Sequence, residues 1–224
     1  MLRASHGRQG AGREAGSGIL LDRPVVVVPG RDPRCTAAQV DLGPRRLGML
    51  PSRVLESADE PTPPSGFVVH DGTAFDARWT AQLDSWVNHI NNEASLGSLT
   101  NRLGDVPIRR IHLLANVNFA PRSVPRPLEV ARLLLRYQDG STSEFPIRLG
   151  VEVEDLWSQG AKPTTGQAPV AWRGMDPSAE MSGKWVQLYH ATLVNPHPDR
   201  PVTALEIRPA MVLPSLLVSG ITVE

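Results

Sequence analysis

The chain has 224 residues, 41% of them hydrophobic, and its 23 basic and 23 acidic residues leave a formal net charge of zero. That length can bury a full core in one domain, and a neutral chain has no global field to gather nucleic acid, an anionic membrane or an acidic substrate. No apolar run approaches the roughly eighteen residues of a membrane span, so membrane insertion is not expected; nor is a signal peptide. An extracytoplasmic place follows only if the chain is a fragment of a longer exported protein. Cys35 is the single cysteine, with no partner for an internal disulfide.

Residues 1–36 read as a disordered or linker-like arm. Gly7, Gly10, Gly12, Gly16 and Gly18 are interspersed with Arg3, Arg8 and Arg13, and so little apolar mass does not offset the entropy of ordering. Pro24 and Pro29 bracket Val25 to Val28, which favours a short extended segment or an edge strand. A domain is expected over 37–224, because Val40, Leu42, Leu47 and Leu50 begin to place apolar residues between turn formers. The stretch SADEPTPPSG at 57–66 reads as a surface loop.

Phe75, Ala77, Trp79, Ala81 and Leu83 alternate with Asp76, Arg78, Thr80 and Gln82, the period of a half-buried strand. A competing helical spacing joins Trp79, Leu83, Trp86 and Ile90, and a short helix after the strand fits both. Ile111, Leu113, Ala115 and Val117 share one face of the next strand, with His112, Leu114 and Asn116 on the other. Residues 130–138 and 143–149 flank Asp139-Gly140, a strong hairpin signal in which both turn positions favour positive φ. Strands are also expected over 185–194, 202–207 and 216–223. Short alternating segments with Pro and Gly turns, and no strand-helix-strand rhythm, predict an all-β antiparallel sandwich.

Chemistry-bearing patterns are sparse. Gly183-Lys184 is followed by Trp185 and not by Ser or Thr, so it is no phosphate loop, and no Gly-x-Ser-x-Gly elbow marks a hydrolase. The histidines are scattered; His112 and His190 fall inside predicted strands and read as hydrogen-bonded, partly buried residues in preference to metal ligands. Glu152 and Glu154 read as one solvated face, and a structural calcium ion using Asp155 is the runner-up reading. Trp157, Trp172 and Trp185 either fill the core or offer indole faces to sugars.

Tyr137 to Gly150, Asp155-Leu-Trp157, Ala171-Trp-Arg-Gly174, Leu188-Tyr189, Asn195-Pro-His-Pro198 and Pro214 to Thr222 together resemble the galactose-binding-like jelly-roll domains appended to multidomain bacterial proteins. Phe75 to Arg78 and Ile111 to Leu114 fit the same pattern, and the likeness spans about Gln39 to Glu224. It implies a non-catalytic carbohydrate-binding-like or cell-surface interaction module, without a cofactor other than the calcium already named. Arg148, Asp155, Trp157 and Trp172 are the candidate ligand-binding residues, for a glycan or another protein. The alternative is a structural protein-protein docking domain without a small-molecule ligand, and a jelly-roll hydrolase ranks third.

Overall fold

The computed structural model describes residues 19–21, 26–28, 37–40, 42, 49–51, 66–159, 169–174 and 184–224. In chain order its strands are β1 (Ile19–Leu21), β2 (Val26–Val28), β3 (Ala37–Val40), β4 (Met49–Pro51), β5 (Phe67–His70), β6 (Thr73–Asp76) and β7 (Trp79–Gln82). After the short helix α1 (Trp86–Asn91) come β8 (Leu99–Pro107), β9 (Arg110–Asn118), β10 (Leu128–Tyr137), β11 (Thr142–Leu149), β12 (Trp157–Gln159), β13 (Val170–Gly174), β14 (Lys184–Val194), β15 (Pro201–Pro209) and β16 (Ser215–Val223). No helix among the described residues is long and apolar enough to cross a membrane.

Eight strands make two facing antiparallel sheets. The first runs β8-β15-β10-β11 and the second β7-β16-β9-β14. Counted along the chain, the order is second-seventh-fourth-fifth in one sheet and first-eighth-third-sixth in the other, the interlocked Greek keys of a jelly roll. Leu99, Leu133, Ile147 and Ile207 from the first sheet meet Leu113 and Ile221 from the second, all fully buried. Each such side chain contributes about 1.5–3 kcal/mol of burial. The antiparallel sandwich expected from the sequence is therefore the architecture of the chain.

Short strands extend both sheets. β1 lies parallel to β8, β2 pairs β3 beside β16, and β12 and β13 both pair β14. Two of them, β1 and β2, fall in the expected arm at 1–36; the rest of the arm lies outside the described residues.

Three local expectations change. The alternating segment from Phe75 to Leu83 is two strands, β6 and β7, separated at Ala77 and Arg78. Ala77 N–H donates to Gly66 O at 2.7 Å, and Arg78 turns back to grip the Asp76 carboxylate at 2.5 Å. The break lets Phe75 and Ala77 enter a small cluster apart from the main core, which receives Ala81 and Leu83. The hairpin at Asp139-Gly140 is present, but only Gly140 has positive φ (+82°). Gly140 N–H donates to Tyr137 O and Tyr137 N–H to Ser141 O, so the connection has three residues. The two-residue hairpin lies elsewhere: between β5 and β6, Asp71 (+48°) and Gly72 (+71°) both take positive φ, as a type I′ turn requires.

The third change concerns Glu154, which is buried and not on a solvated face. Residues 154–156 run between β9 and β14: Val117 N–H donates to Glu154 O at 3.0 Å and Gln187 N–H to Leu156 O at 2.9 Å. Arg126 donates to the Glu154 carboxylate at 2.5–2.9 Å, which compensates the cost of burying the charge.

Candidate functional site

Since Ile111, Leu113, Ala115 and Val117 of β9 point into the core, His112, Leu114 and Asn116 stand on the outer face of the second sheet. The register brings His190 opposite Leu114 and Thr192 opposite His112 on β14, and Gly220 and Thr222 opposite the same pair on β16. The β5–β6 hairpin lies over this face. Phe75 is fully buried there with Ala77, Leu114 and Leu188, and Val68, Ala171 and Trp172 pack around them. Thr222 Oγ1 donates to Ala74 O at 2.5 Å, fastening the hairpin to β16.

Beneath the hairpin runs a chain of three imidazoles. His70 Nδ1 meets His190 Nδ1 at 2.9 Å, His190 Nε2 meets His112 Nδ1 at 3.0 Å, and His112 Nε2 meets Glu224 Oε2 at 3.3 Å. Thr192 Oγ1 also reaches His112 Nδ1 at 3.1 Å, and Arg110 pairs with Glu224 at 3.2 Å. Burial, followed by the neighbouring His112 and His70, holds His190 down at about 4. Burial also lowers His112, against the opposing pull of Glu224. A neutral His112 donates Nε2–H to the Glu224 carboxylate, accepts at Nδ1 from His190 Nε2–H, and leaves His190 Nδ1 to accept from His70 Nδ1–H. The hydrogen bonds then all run toward Glu224.

The tryptophans occupy the same sheet. Trp157 on β12 lies opposite Val186, and Trp172 on β13 opposite Leu188, so the two indoles flank β14 on opposite sides. Val186 and Leu188 are two residues apart and share a face, and Leu188 belongs to the outer cluster. Both indoles therefore stand on the outer face, and both are half-buried. Trp172 also packs on the Phe75 cluster. Trp185 is half-buried with the Arg173 guanidinium 4.3 Å above its ring.

Asp155 sits just ahead of Trp157, and its Oδ1 accepts the Trp157 N–H at 3.1 Å. Arg148 is placed differently. It lies on β11 between the buried Ile147 and Leu149, which turns its side chain to the outer face of the first sheet, where Glu152 holds the guanidinium at 2.6 Å. The sandwich thus groups Asp155, Trp157 and Trp172 around β14 and puts Arg148 across its thickness. Beside Asp155, the Glu154 carboxylate is engaged by Arg126. Among the described residues no cluster of three or more His, Cys, Asp or Glu side chains is arranged for a metal ion.

Sequence reasoning placed His112 and His190 correctly in strands but missed His70 and Glu224 as their partners. The available signal was Val69-His70-Asp71-Gly72, a two-residue hairpin motif that puts His70 beside the turn.

No family model matches the chain, and no curated protein matches it.

Proposed function

We propose that this chain is a non-catalytic carbohydrate-binding-like interaction module of the galactose-binding-like jelly-roll type. The observation that carries the reading is the pair of indoles, Trp157 and Trp172, on one face astride β14. They are separated by two interstrand spacings and offset by two residues, roughly 10–12 Å, about the length of a disaccharide. Two half-buried rings at that separation suit stacking against successive sugar faces. Such a shallow surface has little area to offset association entropy, and the dissociation constant should be roughly 0.1–1 mM. Screening on a glycan array tests the proposal: it requires a glycan whose signal falls with Trp157→Ala. An array on which every glycan binds the variant and the wild type alike contradicts it.

A second reading, a protein-protein docking domain, is favoured by a different observation. Trp86 (56% exposed) and Ile90 (73%) on α1 adjoin Met211 (37%) and Leu213 (44%). Trp86 N–H donates to Val212 O at 2.9 Å, tying the helix to that loop. A partner protein that co-purifies with the wild type and is lost with Trp86→Ala supports docking over sugar binding.

A further inference from the structure

The histidine chain limits how many protons the outer face of the second sheet can hold. Its three rings have six nitrogens: four meet in two contacts, His70 with His190 and His190 with His112, and two face outward. Each contact accommodates one hydrogen, since two would set N–H against N–H at about 3 Å. The outward nitrogens, His70 Nε2 and His112 Nε2, accommodate one each. Four hydrogens therefore fit. Three neutral imidazoles bring three, so one extra proton is taken up by protonating both outer nitrogens, with His112 Nε2–H directed at Glu224. A fifth hydrogen has no place and forces two N–H groups together.

Of the two contacts, one is the easier to break. His112 and His190 are on adjoining paired strands in the middle of the second sheet. His70 is on the β5–β6 hairpin, which among the described residues pairs only with itself and reaches the sheet through Phe75 and Val68, the Thr222–Ala74 bond and His70. We propose that this hairpin is an acid-released strap: the second proton taken up by the His70–His190–His112 chain drives it off the outer face of the sheet.

The charges around the chain set its balance. From the hairpin, Asp71 favours protonation of His112 and His190, and Asp76 is held by Arg78. For His112, Arg110 on β9 opposes it and Glu224 beyond β16 favours it, while His190 is opposed by its neighbours His112 and His70. Thr192 on β14 is neutral and supplies only its hydroxyl. The net direction is downward for His112 and His190, with burial the largest cause for each. A histidine lowered in the folded state stabilises that state fully above its unfolded value near 6.5, and the contribution is lost as pH falls through the folded value. The strap is closed at neutral pH and loosens from about pH 6.5 toward 4.

Amide hydrogen exchange on the full chain, corrected for intrinsic rates, tests this. Protection of residues 67–76 should fall about tenfold or more per pH unit between 6 and 4.5, while that of β10 holds. In His190→Leu the hairpin amides should stay protected at acid pH, because the chain is interrupted by an apolar group among apolar neighbours. Should that variant not fold, His70→Ala serves: it should show weakened hairpin protection at pH 7.5 and no further acid loss. Wild-type protection that does not change with pH overturns the proposal. So does an acid loss in either folded variant equal to that of the wild type.

Discussion

Phe75 lies so close to Gly220 that a Cβ on the glycine would meet Phe75 Cβ and Cδ1 at 3.2 Å. The absence of a side chain at Gly220 leaves room for the Phe75 ring against the second sheet. Gly220→Val should lift Phe75 and cost about 1–3 kcal/mol by overpacking, read as a lowered urea midpoint. Phe75→Ala should cost about 3–5 kcal/mol through the cavity it leaves. An unchanged midpoint in both would mean that the hairpin contributes nothing to stability.

Gly140 makes the complementary case, since an added side chain there would meet nothing within 4 Å. Any cost of Gly140→Val comes from backbone strain at φ +82°, about 1–3 kcal/mol for a β-branched residue. Denaturant titration of this variant alone separates backbone strain from packing.

Arg126, itself partly open to solvent, holds the buried Glu154 carboxylate, whereas Arg132 lies in the open between Glu129 and Glu144. Arg126→Ala leaves the buried Glu154 carboxylate without its cation and should destabilise the domain by about 1–3 kcal/mol. Arg132→Ala should leave the melting temperature unchanged. Equal effects from the two substitutions would contradict the burial of Glu154.

Much of the sandwich was legible because β9, β10, β14, β15 and β16 alternate apolar and polar residues over a single core. The same rule concealed the hairpin. Phe75 and Ala77 are buried on the outside of the second sheet and Ala81 and Leu83 on the inside, yet all four keep one parity, so the alternation passes unbroken through the bend at Arg78. β8 was hidden differently: it turns at Gly104 and Asp105, both at positive φ, and lacks a clean period. The histidine chain depends on register between strands separated by 78 residues in sequence, which no local pattern encodes. Arg148 and Trp157 are close in sequence, but the thickness of the sandwich separates them.

Deleting residues 1–36 removes β1 and β2 from the sheet edges while β8 keeps β15 and β16 keeps β9. The sandwich should remain folded with a melting temperature lower by only a few degrees, about 1 kcal/mol. Loss of the cooperative transition would show that the short edge strands are required.

Trp157 and Trp172 decide between a sugar platform and a packing role. The direct measurement is titration of Trp157→Ala and Trp172→Ala with the best glycan from the array, alongside their urea midpoints. A stacking platform predicts that Trp157→Ala weakens binding about tenfold or more, a loss of 1.4 kcal/mol, at a nearly unchanged midpoint; Trp172→Ala should lose both binding and some stability, because its ring also packs on the Phe75 cluster. If both variants bind as the wild type does while each loses about 3–5 kcal/mol of stability, the rings are core and the carbohydrate-binding reading is wrong.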